Sequence, residues 1–167
     1  MRLMLIILVF LTHSMWSQNT QISFVIKNFG IDVDGAFSKS KVSLGQDSLG
    51  NITDIKGEVL VATIETGITK RDKHLLEEDY FDALKYPQIL LESTSVKPLG
   101  NNAYQINADL SIKGTTRSIT IRGRRITEGG RETFQSEFEI NRRDFDVGGG
   151  GFLGKTVTVK VVHFLNP

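Results

Sequence analysis

The chain has 167 residues, enough for one domain with a real buried core. It contains no cysteine, which excludes a disulfide framework, a thiolate metal site and a lipidated N-terminal cysteine. With 20 Lys and Arg against 19 Asp and Glu, it lacks the basic excess of a general nucleic-acid binder.

Residues 1–18 read as a signal peptide. Arg2 supplies a short positive start, and residues 3–11 form an apolar run too short to span a bilayer comfortably. Ser14 and Ser17 put small residues near a cleavage point around 17–19, although Met15 and Trp16 sit between them. A buried strand or a permanent anchor are the competing readings of the run. Export without cysteine fits a bacterial periplasmic or secreted protein, with no integral anchor once the segment is removed. The mature domain then occupies 19–167.

From Gln21 onward the dominant period is two. Ile22, Phe24 and Ile26 alternate with Ser23, Val25 and Lys27, and Val33, Gly35 and Phe37 continue the pattern after a bend at 28–30. A weaker strand follows around Val42 and Leu44, then a turn at 46–51. Ile55, Gly57, Val59 and Val61 share one face of a long strand. Residues 71–87, RDKHLLEEDYFDALKYP, then carry an apolar stripe at helical spacing (Leu75, Leu76, Tyr80, Ala83, Leu84). They predict the one helix of the mature chain, with Asp72 as a cap and Pro87 as its stop. Ile89 and Leu91 resume the alternation, and a turn is expected at 98–102. Tyr104, Ile106, Ala108, Leu110 and Ile112 give the cleanest alternation of all. Ile119 and Ile121 follow, then Phe134, Phe138 and Ile140, a glycine loop at 148–151 and a β-branched closing strand at 156–164.

Eight or nine strands joined mostly by tight turns make a mainly β, antiparallel fold. A sheet that large curls, splits or closes, and closure removes its edges. We therefore expect an elongated antiparallel β-barrel of about eight strands with one helix inserted mid-chain. A two-sheet sandwich with a filled core is the alternative. An outer-membrane barrel fits less well, because each strong strand pairs an apolar face with a charged one.

Catalytic patterns are missing: there is no G-x-S-x-G, P-loop, G-x-G-x-x-G or H-E-x-x-H. His74 and His163 lie far apart and in no spaced ligand set, so no metal site and no cofactor is expected. Glu77 and Glu78 are helical neighbours that do not face each other. Arg117, Arg122, Arg124 and Arg125 form a basic group, read as a solvated strand exterior or as a contact for an anionic head group. Phenylalanines on inward parities could fill a core or line an apolar tunnel.

Several motifs together resemble the YceI family of lipocalin-like, polyisoprenoid-binding proteins. Ile64-x-Thr66, Arg71-Asp72-x-His74-Leu75, Asp79-Tyr80-Phe81-Asp82 and Lys85-Tyr86-Pro87-x-Ile89 are similar to its central series. Ala108 to Thr116 and Ile140-Asn141-Arg142-Arg143-Asp144-Phe145 are similar to two later segments, and Phe24-x-Ile26 and Gly35-x-Phe37 fit its opening. Departures include Tyr80 and Leu91 for the usual Phe, Ala108 for Gly, Asp146 for Gly, and Asn28 near where the family carries an early histidine. The resemblance implies an elongated lipocalin-like barrel and an exported, often dimeric carrier of long isoprenoid, quinone-like or other amphiphilic lipid.

On that reading Phe24, Ile26, Phe37, Val59, Val61, Ile89, Leu91, Ile106, Leu110, Phe134 and Phe138 are the expected ligand lining. Leu76, Tyr80 and Leu84 would cover one side or end. A structural or interaction domain with a filled core is the second reading. An enzyme using His74 and a nearby acid on a bound lipid is the third, and catalysis is not expected.

Overall fold

The inward–outward alternation of the sequence becomes ten strands in one antiparallel sheet. The structure is a computed structural model that describes residues 19–149 and 153–165; the expected signal peptide at 1–18 and residues 150–151 of the glycine loop lie outside them. The strands are β1 (Thr20–Asn28), β2 (Ile31–Phe37), β3 (Ser40–Gln46), β4 (Ile52–Leu60), β5 (Ile64–Glu65), β6 (Gln88–Gly100), β7 (Ala103–Ile112), β8 (Thr115–Glu128), β9 (Arg131–Asn141) and β10 (Leu153–Phe164). Their order is β3-β4-β6-β7-β8-β9-β10-β1-β2-β5.

The two ends of that order belong to the same two stretches of chain. β2 runs straight on into β3, and β4 runs into β5 through a 3-10 turn at Val61–Thr63. Ser38 N donates to Thr63 O at 3.2 Å and Leu60 N to Lys39 O at 3.0 Å, so the two stretches stay bonded around their shared corner. Taking β2–β3 and β4–β5 as one bent strand each, eight strands close on themselves. The expected closed antiparallel barrel is therefore the observed one, and its edges are removed by bending. On the outside of β7 and β8, Asp109 accepts from Ser118 Oγ at 2.6 Å and Asn107 Oδ1 from Thr120 Oγ1 at 2.8 Å, a polar surface suited to water. Among the described residues no helix is long and apolar enough to cross a membrane.

Three local expectations are corrected. The helix α1 is Thr69–Leu75, seven residues, not 71–87. Beyond it the chain turns repeatedly: Phe81 N bonds Leu75 O at 3.1 Å, Ala83 N bonds Leu76 O at 2.9 Å, and Asp82 takes a φ of 49°. Glu77, Glu78 and Asp79 would extend the helix by placing acids at its negative end, which the dipole opposes. Asp72 is not the cap; that position is Ile68, and Asp72 Oδ1 instead accepts from the amide (2.9 Å) and hydroxyl of Thr66. The turn expected at 98–102 is tighter, because β6 continues to Gly100 with a register irregularity after Pro98. Pro98 is tolerated there because the pairing of β6 with β4 has already ended at Glu92.

Inside, the barrel divides into two halves. In one, Ile52, Ile55, Tyr104, Ile106, Ala108, Ile121 and Phe134 form a solid cluster. Tyr104 and Phe134 stack at 6.1 Å between centroids, and the Phe134 ring lies directly over Gly123, where an added Cβ would come within 2.1 Å of Cζ. His163 stands at the same end, its Nδ1 2.8 Å from Thr20 Oγ1, and burial lowers its pKa. The other half, toward α1, is not filled.

Gly123→Val tests this plug. Overpacking against the Phe134 ring is expected to cost about 1–3 kcal/mol in urea unfolding, while Gly149→Ala, with nothing within 4 Å of its Cβ, stays within about 0.5 kcal/mol of the parent.

Candidate functional site: an apolar cavity at one end of the barrel

The inward row of each strand toward α1 carries apolar side chains that leave the axis open. β1 supplies Ile22, Phe24 and Ile26, β10 Val157 and Val159, β9 Phe138 and Ile140, and β7 Leu110 and Ile112. They enclose a cavity of about 260 Å³. Phe24 would cross this space but instead lies flat on the opposing strand residue Gly35, whose hypothetical Cβ would sit 2.2 Å from the ring. Phe24, Phe37 and Phe81 then follow one wall, with centroids 5.6 and 6.3 Å apart.

The end wall is built by the chain after β9. Residues 142–145 form a 3-10 turn capped by Asn141, whose Oδ1 accepts from Arg143 N at 3.1 Å. Phe145 is buried there, and Val147 follows it into the lining. Arg142 is 4% exposed and points into this wall. Its Nε donates to Gly154 O (2.7 Å), Nη1 to Val147 O (2.6 Å) and Gly148 O (2.8 Å), and Nη2 to Gly149 O (3.2 Å) and Leu153 O (3.1 Å). All five N–H groups of the guanidinium are thus used on main-chain carbonyls. Burial, and then the neighbouring Arg143 charge, lower the Arg142 pKa, but a guanidinium remains charged at any working pH.

The side wall is α1 and the turns after it, held against the end wall. Gly148 N donates to Asp79 O at 2.9 Å, and Lys113 Nζ bridges Glu78 O (2.7 Å) and Asp146 O (2.9 Å). Arg71 fixes the entry to α1 through Nε to Thr66 Oγ1 (2.7 Å) and Nη2 to Thr66 O (2.6 Å). His74 crosses Tyr80 edge-on at 4.9 Å, with Nε2 3.2 Å from Asp79 Oδ2. Asn28, Thr66, Arg71, His74, Tyr80 and Arg142 are the polar members of an otherwise apolar lining. Asn28 and Arg71 are half-buried and His74 is exposed, so the cavity reaches the surface beside α1.

Half of the expected lining meets in this cavity: Phe24, Ile26, Phe37, Tyr80, Ile89, Leu110 and Phe138. The rest lies elsewhere. Val59 and Val61 are buried in the wall, and Leu76 packs behind it against Phe37, Val59 and Ile64. Leu91 sits between the two halves, while Ile106 and Phe134 belong to the solid one. Leu84 is fully exposed, at 102%, and covers nothing. Val157, Val159, Ile112 and Ile140 were within reach of the same parity rule that selected Phe138. Arg142 was not, because an Arg-Arg pair reads as solvated surface.

The basic group does not converge. Arg117 Nε reaches Asp144 O at 3.2 Å, Arg125 turns inward to Glu132 at 3.0 Å, and Arg122 and Arg124 are exposed. His74, Glu77 and Asp79 hold potential ligand atoms within 4.8 Å of one another, the one such group among the described residues. All three are exposed, and the His74–Asp79 hydrogen bond accounts for their approach.

A family model described as a YceI-like domain matches residues 14–163. Protein YceI of Escherichia coli O6:H1 is 30% identical over 144 residues, spanning 78% of this chain and 72% of the relative. A UPF0312 protein of Shewanella denitrificans is 32% identical over 133 residues, 75% of this chain and 65% of that one. Among solved structures, Burkholderia cenocepacia BcnA superposes with a TM-score of 0.81 at 25% identity, covering 88% of this chain and 96% of the other. A polyisoprenoid binding domain from Saccharophagus degradans superposes with a TM-score of 0.70 at 16% identity, covering 88% and 93%, a likeness of fold.

Arg142→Met leaves five carbonyls without their shared donor. It is expected to destabilise the protein by about 3 kcal/mol or more in denaturant unfolding, with hydrogen exchange rising first at residues 147–149 and 153–154.

Proposed function

Because this chain belongs to the YceI-like family, we propose that it is an exported lipid-binding protein, a non-catalytic carrier that holds the apolar chain of an isoprenoid-type or other amphiphilic lipid inside the barrel. The observation that carries this is the one-ended cavity: solid packing around Ile106 in one half and, in the other, a chamber whose described lining is mostly apolar, with six polar members. A chain drawn into such a chamber is driven by burial of apolar area, about 0.8 kcal/mol per methylene. The fold shared with the Saccharophagus polyisoprenoid binding domain is consistent with this use, and the apolar run at 3–11 within the expected signal peptide is the basis for export.

The volume bears on ligand length. A cavity of 150 Å³ takes up benzene, so by the same yardstick 260 Å³ holds about ten carbon atoms, or about two isoprene units. A longer chain has to displace Phe24 or Phe81 from the wall or leave part of itself outside the mouth.

The His74–Asp79 pair at the rim favours the enzymatic reading on proximity alone. Among the described residues Thr66 and Tyr80 are the only hydroxyl side chains in the lining, and Thr66 Oγ1 is already engaged with Asp72 and Arg71. No nucleophile is presented to His74, and binding is the function the geometry serves best.

Solvent extraction and mass spectrometry of protein purified from its native host should recover a stoichiometric lipid. Val157→Trp, which fills the chamber, should reduce recovery roughly tenfold with little change in thermal stability. Equal lipid recovery from Val157→Trp, or none from the parent in extraction and in titration with isoprenoids, contradicts the carrier reading.

A further inference from the structure

The fixed charges of the cavity lining share a sign. Two arginines, Arg71 and Arg142, contribute to the lining, and no aspartate or glutamate does. Neither guanidinium is paired with a carboxylate among the described residues. Arg142 is spent on five carbonyls and offers a ligand nothing but its charge. Arg71 is different. Its Nε and Nη2 hold Thr66, while its Nη1 donates to no acceptor among the described residues. Asn28 belongs to the same lining and is half-buried, with its side-chain amide likewise unbonded among the described residues. His74 is held on the surface by Asp79 and Glu77.

From this asymmetry we infer that the site selects lipids with an anionic, oxygen-bearing head group, a carboxylate or a phosphate monoester, bound at the rim by Arg71 Nη1 and Asn28 with the chain inside. The inference rests on the lipid-binding reading and adds its head-group class. Half-burial makes the contact stronger than a surface ion pair, since screening falls as water is removed. A carboxylate or phosphate oxygen gives the free Arg71 Nη1 a charged acceptor, whereas an alcohol supplies one neutral oxygen. Asn28 can donate to either anion.

The test uses probes of the length the chamber holds: decanoate against decanol, and geranyl phosphate against geraniol, by isothermal titration calorimetry at pH 7. At least one anion is expected to bind about tenfold or more tightly than its matched alcohol, the size of one hydrogen bond to a charged group. Which of the two shows the larger gap identifies the head group as carboxylate or phosphate. The gap should shrink in high salt, vanish in Arg71→Gln and largely return in Arg71→Lys. Alcohols that bind the parent protein as tightly as both anions overturn the inference, whether or not Arg71→Gln folds, and so does a gap that survives in a folded Arg71→Gln. Failure of all four probes to bind the parent protein overturns the lipid-binding reading itself, and the head-group inference with it.

Discussion

The open end of the barrel depends on one buried guanidinium. Arg142 gathers the carbonyls of Val147, Gly148, Gly149, Leu153 and Gly154 around itself. Val147, Gly148 and Gly149 lie in an irregular stretch after β9, Leu153 and Gly154 open β10, and buried carbonyls without donors are costly. Five hydrogen bonds from one side chain convert that irregular stretch into a wall. The wall in turn receives the cover after α1, through Gly148 N to Asp79 O and through the Lys113 ammonium. Without Arg142 the chamber would have side walls and no end.

A second constraint is the division of the interior. Closure of eight strands sets the lumen width, and residue size then decides where it fills. Tyr104 and Phe134 meet across one half because Gly123 makes room for a ring. In the other half Gly35 lets Phe24 lie back against its own wall, and valines and isoleucines complete the circumference. Two glycine–phenylalanine pairs thus have opposite effects: one packs the axis and the other clears it.

This explains how far the sequence could be read. Period-two alternation showed which residues of β7 face inward, and all five expected positions from Tyr104 to Ile112 are buried. Alternation says nothing of height along the barrel. Ile106 and Leu110, or Phe134 and Phe138, share parity and chemistry, yet one of each pair lies in the solid half and the other lines the chamber. Register across the closed sheet makes that distinction, and register is a long-range property. The expected helix was longer for a related reason: Tyr80 and Phe81 are half-buried by consecutive turns, which imitate the spacing of a longer amphipathic helix. The positive φ of Asp82 and the exposure of Leu84 follow from those turns and leave no mark in composition.

The central claim is that the chamber beside α1, and not the barrel surface or the packed half, receives the ligand's chain. The direct measurement is paramagnetic broadening of methyl NMR signals by a fatty acid spin-labelled near its chain terminus. The account predicts selective, saturable broadening of Leu110, Ile112, Ile140 and Val157, with Ile52 and Ile55 affected least. Broadening centred on Ile52 and Ile55, or spread evenly over exposed methyls such as Leu49 and Leu84, would contradict it.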